Sequence, residues 1–81
     1  MTLEKELREE VIKWKEKLQQ KRQTIILLDE TKHDFLKNVD SYISDAHYFF
    51  NRNDLIRAFE AVVWSWAWIE IGEKLGILGT T

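Results

Sequence analysis

No proline interrupts the 81 residues, and all three glycines lie near the carboxyl end, at Gly72, Gly76 and Gly79. Most of the chain therefore lacks the two residues that most often end or kink a helix. Apolar residues make up 44% of the chain and charged residues 32%, a balance typical of a folded globular protein. We predict an all-α protein that forms a single helical domain over residues 1–81.

Apolar side chains at spacings of three and four residues predict a first helix over about residues 2–22. The stripe comprises Leu3, Leu7, Val11, Trp14 and Leu18, which fall on one side of a helix at 100° per residue. The segment TIILLDE, residues 24–30, interrupts this pattern because β-branched residues lose side-chain freedom in a helix. We interpret it as an apolar connection, after which Asp29 or Thr31 caps the second helix.

Two further helices are predicted over about residues 31–51 and 55–75. Between them lies the segment NRND, in which Asn53 tolerates the left-handed conformation and Asp54 is a strong N-cap. Such a short link requires an antiparallel helical hairpin. Gly76 is expected to end the third helix, and residues 78–81 are expected to fray. The fold class is therefore an up-down-up three-helix bundle in which helices 2 and 3 form an antiparallel hairpin.

The third helix carries two apolar stripes instead of the usual one. We assign the first stripe to the core; it contains Leu55, Ala58, Phe59, Val62, Trp66 and Ile69. The second lies on the other side and contains Trp64, Trp68, Ile71 and Leu75. Since one stripe suffices for a surface helix, two stripes predict burial on both sides, either against both other helices or against a partner chain.

The second half of the chain resembles the archaeal "domain of unknown function 357" family. The resemblance rests on the run DAHYF at residues 45–49, on Asn53-Asp54, and on RAFEAVVWSWAWIEIGEKLG from Arg57 to Gly76. It covers about the last forty residues, whereas the first helix matches only in general character. The resemblance implies a compact three-helix bundle, and the family carries no established activity.

The resemblance also implies a set of shared polar and aromatic positions. They are Asp45, Asp54, Arg57, Trp68 and Glu70, with Trp64 where the family usually has tyrosine. The chain departs from the pattern at Asn53 and Ala67, which replace glycines, at Ile69, which replaces leucine, and at Glu70, which replaces aspartate. The extra methylene of Glu70 would misplace a carboxylate that needs tight geometry, so it argues against catalysis there.

Composition and spacing argue against several function classes. The net charge of −2 does not favour nucleic acid as a partner, since phosphate binding needs a basic face. There is no cysteine, and His33 and His47 lie roughly 21 Å apart on one helix by its rise, so no metal site is predicted. The uncharged run from Ala61 to Ile69 is too short to span a membrane. No cofactor or catalytic motif is recognised, and the charged amino terminus does not read as a signal peptide. We expect a cytoplasmic protein that is not an enzyme.

Two functions remain open from the sequence. The first is a protein-interaction or scaffold module that forms a homodimer or binds another protein through a surface containing Asp45, Arg57, Trp64, Trp68 and Glu70. The alternative is an accessory domain that binds a small anionic ligand or nucleotide near Arg57, Asp45 and Trp68. An ion pair between Asp45 and Arg57, fixing the hairpin register, is a further expectation. A flat tryptophan patch would favour a protein partner, and a concave pocket holding Arg57 would favour a ligand.

Overall fold

Three long helices form the protein, as the sequence predicts. The computed structural model describes residues 2–81, and in it α1 spans Leu3–Thr24, α2 spans His33–Asn51 and α3 spans Leu55–Lys74. One turn of 3₁₀ helix, Glu30–Lys32, precedes α2. Helices α2 and α3 pack closely as an antiparallel hairpin, and α1 packs mainly against α3. The all-α three-helix bundle is therefore confirmed, with helix ends within about two residues of those predicted.

The turn between α2 and α3 has the predicted chemistry. Asn53 adopts φ of 61°, in the left-handed region. The Asp54 carboxylate accepts a hydrogen bond of 3.2 Å from the backbone N–H of Arg57, which caps α3. Asp29 caps the 3₁₀ turn, because its carboxylate accepts from the backbone N–H of Thr31. The prediction that Asp29 or Thr31 caps the second helix is wrong, since α2 begins after Lys32 without a side-chain cap.

The end of α3 is closed by paired backbone hydrogen bonds around Gly76. This residue has φ of 72°, and its N–H donates to the carbonyl of Glu73 at 3.2 Å. The N–H of Ile77 donates to the carbonyl of Gly72 at 2.9 Å. Together these bonds make a Schellman motif, which needs a left-handed residue at this position. The predicted glycine stop is therefore confirmed.

The last residues do not fray, so that expectation is wrong. Leu78–Thr80 form strand β2, which pairs antiparallel with strand β1, Ile25–Leu27. Leu78 is only 2% exposed and joins the main hydrophobic cluster, so its burial holds the tail in place. The Thr81 N–H also donates to the Thr24 carbonyl at 2.7 Å. The apolar segment after α1 is thus half of a two-stranded sheet rather than a simple connection.

The core is centred on a face of α3 that consists largely of small residues. The buried residues of this helix are Leu55, Ala58, Ala61, Val62, Ser65, Ile69 and Gly72. Leu18 of α1 and Val39 of α2 cluster with Ile69, and Ala46 of α2 clusters with Ala61 and Val62. Val11 of α1 is also buried. The prediction that Phe59 belongs to the core is wrong, because its side chain is 38% exposed. The inward face is centred near Ser65, roughly 120° around the helix from Phe59 at 100° per residue.

Candidate interaction surface

Helix α3 exposes an unusual amount of apolar surface. Of the eleven large hydrophobic residues that are exposed within residues 2–81, five belong to this helix and a sixth is its C-cap residue, with exposures between 38% and 68%. These six are Ile56, Phe59, Val63, Trp64, Ile71 and Leu75. We call the side of the helix that carries them, with Glu60, Ala67, Glu70 and Lys74 between them, the outward face of α3. A surface helix ordinarily turns polar residues to this side, so the apolar outward face needs another explanation.

The inward face of α3 packs closely against the other two helices because many of its residues are small. Its buried positions include Ala58, Ala61, Ser65 and Gly72, whose small side chains let α1 and α2 approach closely. The Ser65 hydroxyl donates to the Ala61 carbonyl at 2.7 Å, so this buried polar group is satisfied. Leu55, Val62 and Ile69 fill the rest of the inward face, and the exposed large apolar residues lie on the outward face.

The second apolar stripe of α3 is partly covered by α2 and partly exposed to solvent. Trp68 is half-buried and packs edge-on against Phe35 of α2, with ring centroids 4.8 Å apart. Trp64 is 53% exposed and stacks on Tyr42 at a centroid distance of 6.2 Å. Trp68 therefore extends the core, whereas Trp64 and the exposed Ile71 stay available to a partner.

The expected ion pair between Asp45 and Arg57 is replaced by a different pair. Within residues 2–81, Arg57 pairs with Asp54 at 3.3 Å, and its guanidinium lies 6.0 Å from the centroid of the Phe49 ring. The correction has a local cause: Asp54 already faces the first turn of α3 as its N-cap, three residues from Arg57. Asp45 stays exposed on α2.

Three of the five predicted site residues nevertheless share one shallow depression. Asp45, Arg57 and Trp64 line it together with Tyr42, Phe49, Glu60 and Ala61, and its volume is about 240 Å³. Two carboxylates line this depression, and a third, that of Asp54, pairs with its single guanidinium. Trp68 is absent from the lining because it turns toward Phe35. The surroundings of Arg57 are therefore net acidic, which disfavours an anion.

Glu70, the fifth predicted residue, lies on the other edge of α3. It lines an open depression of about 380 Å³ between α1 and α3, with Trp14, Phe59, Val62, Val63, Trp66 and Ala67. The Trp14 and Trp66 rings meet edge-on there at 6.2 Å, and the buried Trp66 Nε1 has no hydrogen-bond partner within residues 2–81. Sequence reasoning assigned Trp14 and Trp66 to core stripes but did not bring them together, since a helical wheel gives no contacts between helices.

These features define the class of protein: a small helical bundle whose outstanding surface feature is the apolar outward face of its third helix. The chain belongs to the family described as "Protein of unknown function (DUF357)", whose model matches residues 7–78. That match confirms the resemblance and extends it over most of α1.

A solved structure is similar along nearly the whole chain. It is the crystal structure of protein AF1782 from Archaeoglobus fulgidus, assigned to the same family. The two sequences are 48% identical, and the structures superpose with a TM-score of 0.88 over 99% of this chain and 100% of that one. No match was found among the curated proteins. None of the helices within residues 2–81 combines the length and apolar character needed to cross a membrane.

Proposed function

We propose that the protein is a non-enzymatic protein-interaction module that docks through the outward face of α3. The observation that carries this proposal is the exposure of six large apolar residues along α3 and its C-cap, Leu75. Contiguous apolar surface of a few hundred Å² on a small protein marks an interaction site more often than idle surface.

The distribution of residue types on this face also supports docking of a protein. Trp64 presents half of its indole to solvent, and tryptophan is the residue most enriched among interface hot spots. The charged residues Glu60, Glu70 and Lys74 are interspersed with the apolar ones and exposed. An apolar centre with charges around it is the usual anatomy of a protein–protein interface.

The alternative function, binding of a small anionic ligand or nucleotide near Arg57, Asp45 and Trp68, has less support. The depression that holds Arg57 is concave, which favours a ligand, but it is small and its carboxylates outnumber its guanidinium. Arg57 is largely exposed and already paired, so an anion would have to displace Asp54. We therefore prefer a protein partner.

Site-specific photo-cross-linking tests the proposed function. A photoreactive amino acid is placed at Val63, on the outward face, or at Glu16, on the exposed side of α1, and each protein is irradiated in an extract of its native host. We expect discrete cross-linked species from position 63 that excess unlabelled wild type removes by competition. A Val63→Glu/Ile71→Glu variant should compete poorly. Equal labelling from both positions, or no specific species from position 63, would show that the outward face does not dock a protein.

A further inference from the structure

We propose that the partner bound by the outward face is a second copy of this chain, with the two α3 helices antiparallel about a twofold axis beside Ala67. This inference rests on the proposed function and specifies its occupant. The evidence for it is the order of residues along the face, which is self-complementary around Ala67.

Ala67 provides the centre of the contact. It is half-buried in the second half of α3, and its short side chain would let two helices approach to the lower end of the usual 8–10 Å separation. Val63 lies four residues before it and Ile71 four residues after it. In an antiparallel pair, residues equally far from the axis in opposite directions come to the same level. Val63 of each copy would therefore lie level with Ile71 of the other.

The charges on the face follow the same symmetry. Glu60 lies seven residues before Ala67 and Lys74 seven residues after it, and both point within about 20° of Ala67 at 100° per residue. The twofold axis would bring Glu60 of each copy level with Lys74 of the other, giving two pairs of opposite charge. Neither side chain joins any of the three ion pairs formed within residues 2–81. A parallel pairing would instead place Glu60 level with Glu60 and Lys74 level with Lys74. The complementarity of charge therefore favours the antiparallel pairing.

The length of α3 sets the strength of this association. An axis at Ala67 lets the two α3 helices overlap over residues 60–74, about 21 Å of helix, and a contact along one face of that length buries less than about 1,000 Å² from both copies together. That area lies at the low end for specific interfaces. The dimer should therefore be reversible and should dissociate on dilution through the micromolar range.

Charge reversal with rescue tests the proposal. Sedimentation velocity is measured over a concentration series for wild type, Glu60→Lys, Lys74→Glu and the double variant, with Glu16→Lys as a control for the same change of charge on α1. Each single reversal creates two like-charge pairs across the interface. It should weaken dimerisation roughly tenfold, a typical consequence of a few exposed charge pairs. The double variant should recover wild-type dimerisation, and Glu16→Lys should match wild type.

Three results would overturn the proposal: a wild type that stays monomeric into the millimolar range, single reversals that behave like Glu16→Lys, or a double variant that is as weak as the singles. Circular dichroism of each variant confirms that the helices are retained. A monomeric wild type that still gives specific cross-links from position 63 in the extract would refute self-association alone. The docking function of the outward face would then stand with a different partner.

Discussion

Replacing Gly72 by alanine measures how tightly α2 and β2 close over α3. A Cβ atom at this position would lie 2.6 Å from Leu78 Cδ1 and 2.7 Å from Phe35 Cε1. Ordinary contacts between carbon atoms are about 3.5–4.0 Å, so the new methyl group would overlap two side chains by close to 1 Å each. Leu78 is 2% exposed and cannot relieve the overlap by turning into solvent.

Two opposing effects set the size of the loss in stability. Overpacking a core costs about 1–3 kcal/mol, and overlap with two side chains from different elements favours the upper end of that range. Alanine in place of glycine within a helix returns about 1 kcal/mol. Because the cost of overpacking exceeds the gain in helix propensity, the free energy of unfolding should fall by roughly 1–2 kcal/mol. For a domain of this size the Tm should fall by about 5–15 °C.

Thermal and urea unfolding, followed by circular dichroism, measure the effect of Gly72→Ala. The matched control is Gly79→Ala in β2, where the nearest atom, Leu28 Cδ1, is 3.0 Å from the new Cβ. Leu28 is 55% exposed and can swing away, so the control should change stability by less than about 0.5 kcal/mol. If Gly72→Ala were as stable as wild type or more so, Phe35 and β2 would not be closed over α3 as described.

Three further predictions concern a helix cap and two titrating groups. Asp54→Ala removes the N-cap of α3 and should cost about 1 kcal/mol in urea unfolding; an unchanged midpoint would mean that the cap contributes nothing. Burial and the charge of Lys15 lower the pKa of His47, so the folded state binds this proton less readily than the unfolded state does. The free energy of unfolding should therefore decline as the pH falls below about 6.5 and level off below the folded pKa. His47→Gln should remove that part of the decline. Identical pH profiles of stability for the variant and the wild type would refute this role of His47. Hydrogen bonds from Lys21 and from the Thr80 hydroxyl lower the pKa of Glu73. The stabilisation that the ionised Glu73 gives the folded state is therefore fully present above the unfolded pKa of about 4.5 and is lost as the pH falls through the lower pKa of the folded state. The Lys21–Glu73 ion pair is partly solvated and should add little to global stability. Glu73→Gln should therefore mainly speed amide hydrogen exchange in β2, and an unchanged exchange rate would mean that Glu73 does not hold this strand in place.

Local signals in the sequence were sufficient for the three helices and for the turns that end them. The left-handed positions Asn53 and Gly76 and the Asp54 cap could be predicted because each depends on residues within one helical turn. Strand β2 could not, because a three-residue strand is too short for its pattern to be recognised. Its pairing with β1 also depends on how the bundle brings residues 25 and 80 together.

The candidate surface was predictable in outline and not in detail. A second apolar stripe on α3 was visible in the sequence, but a helical wheel does not show how far each neighbour reaches around the helix. Phe35 and Tyr42 reach far enough to cover much of Trp68 and less of Trp64. A helical wheel also gives no distances between helices. It therefore could not show that Arg57 pairs with Asp54, in its own turn, and not with Asp45, on the neighbouring helix.

Cross-linking between the outward faces of two copies tests the central claim most directly. The chain has no cysteine, so Glu60→Cys and Lys74→Cys each introduce a single thiol, and Glu16→Cys serves as a background control. Antiparallel pairing places position 60 level with position 74 of the other copy, whereas two positions 60 lie about 21 Å apart along the axis. A short bifunctional maleimide should therefore link the mixed 60–74 pair in preference to either variant alone. Yields no higher than those of Glu16→Cys, or a dominant 60–60 product, would contradict the antiparallel pairing of α3.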